Sequence, residues 1–396
     1  MNQVQLDLIE MVYGGNALAK VDGRPIFVTG GLPGEQVRAT ITQDRGRYAF
    51  AVVDEVLTPS PHRITPRCPY VRAGTCGGCQ WQHIDYDQQL LYKSEIVKAQ
   101  FRRIGKFDEV LVHPTIASPD PWFYRTHVTY HRSPEDELGF IAPDDRTVTP
   151  IDECPIIRPE LLAMRTAITP TARRVRCMVG TDGSERVVSQ SDDGSPAAAD
   201  QGDDETISAA AADKVTFTIH GETFRVSAGS FFQVNLAQAA RLVELVMDQV
   251  DLSGRELVLD LYSGVGLFTA FLAQGAKRVT AIELAPSAVS DARVNLARFN
   301  NIDVYEGATE AMLPRVKGKF DAAVIDPPRA GMHAKAVEAL IARAPRRIAY
   351  VSCDPSTLAR DARLLVNAGY TLTHVQPVDM FPQTYHIECM AGFEKK

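Results

Sequence analysis

From residue 256 onward the chain alternates a β-type run with a helical run: ELVLDLY then FTAFLAQG, RVTAIEL then APSAVSDARVNLARFN, DAAVIDPP then KAVEALIAR, RRIAYVSC then PSTLARDARLLVNAG, and finally YTLTHVQPVDMF. Short strands alternating with helices bury both faces in a parallel sheet covered on its two sides, so the pattern predicts an α/β, doubly wound, Rossmann-like unit. In such sheets ligands collect at the carboxyl ends of the strands. The polar residues of interest fall at those ends: Gly264 and Gly266 in DLYSGVGLFT, Glu283 in TAIEL, Asp326 in VIDPPRAG and Cys353 in YVSCDPSTLARD.

At 396 residues the chain exceeds what one core usually serves, and two or three units are expected. Residues 1–57 alternate short apolar runs with turn signals (GGNA, VDGRP, GGLPGE, QDRGR) and predict a small antiparallel, OB-like β-barrel. PSPHRITPRCP reads as a linker. Residues 58–229 are expected to form a central α+β unit, and 230–396 the Rossmann-like one. Within the central unit, 84–106 carries Leu90, Leu91, Ile96, Val97 and Phe101 at helical spacing, with Lys93, Lys98, Arg102 and Arg103 among them. That predicts an amphipathic helix able to lie on the C-terminal unit, its basic residues either solvated or facing phosphates.

The formal net charge of −7 argues at first against a nucleic-acid partner. Residues 180–214 alone hold nine acidic and two basic side chains, however, and account for the whole excess. That segment has almost no large apolar residues and reads as an acidic disordered insertion. Without a charged and then apolar leader or a membrane-length apolar run, the chain is expected in the cytoplasm with no membrane partner. Clustered cysteines there are ligands or nucleophiles more often than disulfides.

A GxG turn lets backbone approach a ligand, but dinucleotide folds and plain turns share it. This loop lacks the third glycine of the dinucleotide fingerprint, and Glu283 ends the next strand, positioned to accept from ribose hydroxyls. Gln233 of FFQVN can contact donor or base. Cys353 stands before a proline that starts a helix, where the dipole and unpaired N–H groups favour a thiolate. Cys68, Cys76 and Cys79, spaced C-x7-C-x2-C, with Cys154 far along the chain, suit either zinc or an iron-sulfur cluster, and His83 is an alternate ligand.

FFQVN, DLYSGVGLFT, IDPPRAG, YVSCDPSTLARD and DMFPQTYHIECM, in this order, resemble the RNA uracil-C5 (5-methyluridine) methyltransferase family, and GGNALAKVDGRPIFVTGGLPGEQVRATI resembles its TRAM barrel. The resemblance implies a Class I S-adenosyl-L-methionine-dependent enzyme closest to those acting on 23S rRNA, with transfer RNA as the rival substrate, and working as a monomer. It implies Cys353 as nucleophile and Glu388 as general base. Gln233, Tyr262, Gly264, Gly266, Glu283 and Asp326 would line the donor and base pocket. Cys68, Cys76, Cys79 and Cys154 would hold a [4Fe-4S] cluster. Two positions depart from the family pattern: SCDP replaces SCNP, and Cys389 follows the base where Ser or Thr is common. Asp354 is expected to point away from the sulfur, because a neighbouring carboxylate opposes thiolate formation.

Overall fold

The computed structural model describes residues 3–165, 173–190 and 214–395. Its first unit is a six-stranded sheet of β1 (Gln3–Asp7), β2 (Glu10–Met11), β3 (Ala17–Val21), β4 (Arg24–Thr29), β5 (Gln36–Asp44) and β6 (Ala49–Thr58), in the order β1-β5-β6-β4-β3-β2. Register shifts at three places along β5 and β6 coil the sheet, as bulges do, and the inward residues Leu6, Val28, Val37, Ala39 and Ala51 are buried. The following residues are no free linker. The buried Glu35 carboxylate accepts from the backbone N–H of Leu32 (2.9 Å) and Ser60 (3.2 Å) and from Arg63 (2.8 Å), and so ties residues 60–63 to the barrel.

The central unit holds α1 (Pro69–Arg72), α2 (Tyr86–Arg103), β7 (His127–Arg132), β8 (Leu138–Ile141), β9 (Val148–Pro150), α3 (Pro159–Arg165), β10 (Arg174–Val179) and β11 (Glu185–Gln190). Its strands pair as β11-β10-β7-β8-β9. The acidic segment expected to be disordered from 180 therefore begins as a hairpin strand through Gln190, while 191–213 lies outside the described residues. Asp85 caps α2 by accepting from the N–H of Gln88 at 2.9 Å. Ile96, Val97 and Phe101 are buried as their spacing predicts, but so is Lys93, which therefore cannot belong to a solvated basic face.

The C-terminal unit begins with the hairpin β12 (Lys214–Ile219) and β13 (Glu222–Ser227), then α4 (Leu236–Val250). The hairpin's Val215, Phe217, Phe224 and Val226 share a core with Leu242, Val246, Phe268 and Leu272. It packs on the C-terminal unit and also meets the central one, since Met178 of β10 joins the same core and the N–H of Thr181 donates to the Thr216 carbonyl (2.9 Å). Then come β14 (Leu257–Leu261), α5 (Leu267–Gly275), β15 (Arg278–Glu283), α6 (Pro286–Asn295), β16 (Ile302–Glu306), α7 (Thr309–Met312), β17 (Ala322–Ile325), α8 (Ala334–Arg343), β18 (Arg347–Ser352), α9 (Pro355–Asn367), β19 (Thr371–Val378) and β20 (Glu388–Glu394).

These strands form one sheet in the order β16-β15-β14-β17-β18-β20-β19. β14 to β18 are parallel, and the order reverses between β14 and β17, the switch point at which open α/β sheets bind ligands. One strand, β20, breaks the expected parallel pattern. No helix separates β19 from β20, so the chain turns back on itself, and β20 inserts antiparallel between β18 and β19. No helix among the described residues is long and apolar enough to cross a membrane.

Candidate active site

The reversed β20 brings together the two residues expected to act as nucleophile and base. Its register sets Ser352 opposite Cys389, so Cys353, just past the end of β18, and Glu388, the first residue of β20, leave neighbouring strands at the same end of the sheet. Glu388 is 3% exposed. Burial raises its carboxyl well above the usual range, the nearby Asp326 carboxylate raises it further, and Arg329 opposes both.

Cys353 is half-buried, and its environment differs from the one expected at a helix N-terminus. Burial pushes the thiol up to about 12, with Glu388 and Asp326 adding and Arg329 opposing. The helix end does not favour the thiolate because Asp354 uses it: as N-cap of α9, its Oδ1 accepts from the N–H of Ser356 (2.8 Å) and Thr357 (3.0 Å). Its Oδ2 accepts from the hydroxyl of Tyr13 in the barrel at 2.5 Å. Both oxygens are thus engaged by donors other than the sulfur's own surroundings, and Asp354 is the weakest of the influences on Cys353.

At the switch point, Gly264 and Gly266 adopt φ of 54° and 92°, a region open to glycine at little cost. Glu283 joins this loop to its own strand: Oε2 accepts from the N–H of Gly264 (2.9 Å) and Oε1 from that of Ala285 (2.7 Å). Beneath lies Asp260, fully buried in β14, a residue that sequence reasoning did not single out. Its Oδ2 accepts from Thr269 at 2.5 Å, and its Oδ1 has no hydrogen-bond partner among the described residues. Burial raises Asp260 to about 7, with Asp326 and Glu283 adding. Burial also raises Asp326 to about 7, with Glu283 adding. Three carboxylates crowded around a glycine turn suit a cationic ligand, and a sulfonium donor carrying an amino group fits that demand.

Gln233 is 6% exposed, and its side-chain amide makes no hydrogen bond among the described residues. Its segment is fixed from both units: Ser230 donates to Asp291 (2.7 Å), and the buried Arg176 donates to the carbonyl of Ala228 (3.0 Å). Arg176 is therefore structural. Tyr262 sits in the loop with φ 63°, but its ring turns toward Thr309 and the His333 backbone, so it shapes the donor loop through its backbone.

Sequence reasoning missed Arg329. Its guanidinium makes no hydrogen bond or ion pair among the described residues, yet it acts on Cys353, Glu388, Tyr13 and His386. The available signal was its place two residues after the double proline's start, on the rim beside Asp326.

The loop from Asp379 to Ile387 that delivers Glu388 is clamped by α2. Lys93 donates to Asp379 (2.6 Å) and to the carbonyl of Phe381 (3.1 Å), with both members of the ion pair inaccessible to solvent. Tyr86 donates to the other Asp379 oxygen at 2.8 Å. Gln89 donates to Gln383 Oε1 (3.1 Å), and the N–H of Trp81 donates to the Gln383 carbonyl (3.0 Å).

Trp81 follows the cysteine segment directly, and the four cysteines converge. Cys79 lies within electrostatic reach of Cys154 and Cys76, and Cys154 within reach of Cys68 and Cys76. Burial pushes the Cys154 thiol up to about 11, while the N–H groups of Ile156 and Ile157 favour its thiolate. The N–H of Gly78 donates to Cys76 Sγ at 3.5 Å. Thiols gathered in such surroundings require a cation to become thiolates. Among the described residues no three His, Cys, Asp or Glu side chains surround a single metal ion. Burial lowers the buried His83 to about 4, with Arg63 adding, and its Nε2 has no hydrogen-bond partner among the described residues.

Residues 212–396 match the family described as tRNA (uracil-5-)-methyltransferase, and residues 9–53 match the TRAM domain. An uncharacterised RNA methyltransferase of Gloeobacter violaceus is 33% identical over 445 residues, covering 99% of this chain and 96% of its own. Another, from Halalkalibacterium halodurans, is 33% identical over 446 residues, covering 99% and 97%. Among solved structures, the Pyrococcus abyssi tRNA (uracil-54, C5)-methyltransferase in complex with S-adenosyl-L-homocysteine shares the fold, with a TM-score of 0.72, 24% identity, and 98% of this chain and all of that chain covered.

Proposed function

The chain belongs to the RNA uracil-5-methyltransferase family, and we propose that it methylates C5 of one uridine in 23S rRNA through a covalent adduct on Cys353. The single observation that carries the mechanism is the antiparallel register of β18 and β20, which brings a thiol and a buried carboxyl of raised affinity for protons to one end of the sheet beside Asp326. C5 of uracil is a weak nucleophile. Addition of the Cys353 sulfur to C6 moves electron density to C5, dividing a difficult step into two easier ones. S-adenosyl-L-methionine, when bound, supplies the methyl group as an electrophile. Glu388 then accepts the C5 proton, the C5–H electron pair re-forms the double bond, and the C6–S bond breaks to return the thiolate.

Gly264 and Gly266 give the donor close access to backbone, and Asp260, Glu283 and Asp326 offer negative charge to its cationic end. Arg329 offers nearby positive charge for the thiolate and for the enolate that follows addition. The target base must be unpaired or turned out of its stack, since a stacked ring cannot expose C6 to sulfur. 23S rRNA is favoured because the barrel and four-cysteine unit accompany the catalytic unit. A transfer RNA uridine is the second reading, which the description of the matching family favours. Cys68, Cys76, Cys79 and Cys154 would hold a [4Fe-4S] cluster whose contribution is structural, since methyl transfer from a sulfonium needs no electron. Through Trp81 and Gln383 such a cluster would brace the loop that carries Glu388.

The deciding experiment incubates the protein with donor and RNA containing 5-fluorouridine, which lacks the proton Glu388 must remove. Wild type is expected to stop as a covalent protein–RNA adduct and Cys353→Ala to form none; no adduct with either refutes the mechanism. Tritium from labelled donor, mapped on total RNA, decides between ribosomal and transfer RNA.

A further inference from the structure

The β2–β3 turn of the barrel, residues 12–16, reaches into the catalytic end of the sheet. Tyr13 donates to Asp354 at 2.5 Å across 341 residues of sequence. The carbonyl of Gly15 accepts from the Trp81 indole at 3.2 Å. Gly15 has φ 84°, and a Cβ there would lie 2.6 Å from the Tyr385 ring, so the turn is fitted closely against the loop leading to Glu388. One turn of a nominal RNA-binding module therefore touches the residue after the nucleophile and a residue three before the base.

Resting on Cys353 being the nucleophile, we infer that Tyr13 is a positioning residue of the reaction, holding the Asp354 carboxylate on the helix cap and its charge away from the Cys353 sulfur. The chain needs such a device because it carries Asp where an uncharged cap would do. Asp354 is one residue from the sulfur, and each of its donors withdraws negative charge from the side the sulfur feels. Ser356 and Thr357 N–H groups satisfy Oδ1, and the Ser356 hydroxyl also donates there. Oδ2 has a single donor among the described residues, the Tyr13 hydroxyl. Without it, that oxygen would turn toward water or toward the half-buried thiol. The other charged or titratable groups facing Cys353 are Glu388, Asp326 and Cys389 on the sheet and Arg329 on the rim. Of these, Arg329 alone favours the thiolate. The balance at the sulfur is thus already unfavourable, and a freed carboxylate would worsen it. Tyr13 itself is held neutral as a donor, its ionisation opposed by burial and by Asp354.

The test reads thiolate formation at Cys353 without RNA or donor, so its failure is distinct from a failure of the adduct experiment. Full-length wild type, Tyr13→Phe, Asp354→Asn and the double variant are alkylated with iodoacetamide across a pH series, and labelling at the Cys353 peptide is followed by mass spectrometry. Tyr13→Phe is expected to move the profile up by about half a pH unit, about threefold slower labelling at fixed pH. Asp354→Asn preserves the cap, since Asn is an equally good N-cap, and in the double variant it should restore at least the wild-type rate. A profile for Tyr13→Phe that superimposes on wild type overturns the inference. A shifted profile that Asp354→Asn fails to restore also overturns it, because Tyr13 would then act by packing alone.

Discussion

Replacing Lys93 by methionine tests how the base is held in place. Lys93 Nζ and Asp379 Oδ1 are 2.6 Å apart with both side chains inaccessible to solvent. At an effective dielectric of about 20 their attraction is about 6 kcal/mol. Desolvation of the two ions offsets much of that, so the pair adds little net stability relative to an apolar pair. Removing one member is different. The Lys93→Met substitution would leave the Asp379 carboxylate buried with Tyr86 as its remaining side-chain donor among the described residues, at a cost of about 3–5 kcal/mol. The readout lies beside the perturbation: Trp81 is fully buried, its ring is 5.8 Å from Lys93 Nζ, and the chain has only one other tryptophan, Trp122. Urea unfolding followed by Trp81 fluorescence in a Trp122→Phe background should show the loss. Lys93→Met with Asp379→Asn should recover most of it, because no uncompensated charge remains. Where Lys93→Met is still folded, kcat should fall while donor affinity is unchanged, since Asp379 begins the loop that delivers Glu388. A single variant within about 1 kcal/mol of wild type, or a double variant no better than the single, would refute the reasoning.

Other perturbations address the chemistry directly. Glu388→Gln should trap the methylated adduct on ordinary uridine-containing RNA, visible as a protein–RNA band in denaturing gels, because addition and methyl transfer precede the step it performs. Arg329→Met removes the charge that favours the thiolate, and kcat/KM should drop by about tenfold or more at neutral pH, with the alkylation profile of Cys353 moved up. Because Cys353 is pushed to about 12 and Glu388 is raised, and both act deprotonated, kcat/KM should climb with pH from about 6 to about 9; a rate that falls over that range contradicts the assignment. Gly266→Ala, at φ 92° and with its Cβ 3.0 Å from Leu296, should weaken donor binding measured by calorimetry while the protein stays folded. Cys79→Ser should abolish the visible absorbance and bound iron of anaerobically purified protein if the four cysteines hold a cluster.

The sequence declared some of these residues more readily than others. Gly264, Gly266 and Cys353 announce themselves because each sits where a strand period ends and a helix begins, a place with chemical meaning in an α/β sheet. At the C-terminus YTLTHVQPVDMF does run in the direction of the parallel strands, and only the missing helix after it betrays the reversal of the next strand, which sets Glu388 near Cys353. Asp260 was hidden because an acidic residue inside an apolar strand reads as a local irregularity, whereas its meaning comes from Asp326 and Glu283 on neighbouring strands. Lys93 was misread for the complementary reason. Helical spacing identifies the buried face, but not whether a lysine on it has found a carboxylate 286 residues away. Tyr13 and Asp354 carried no mutual signal at all, since contact between a barrel turn and a helix cap is a property of how whole units pack.

The interior placement of β20 also orders events in time. The strand bearing the base is the last of the sheet to be synthesised, yet it must enter between β18 and β19, both made before it. Until it does, the sheet has an open slot between β18 and β19, and Glu388 is not yet beside Cys353. Catalytic competence would arrive in one step with completion of the sheet, and loss of those few residues by proteolysis would remove activity and the sheet's closing strand together.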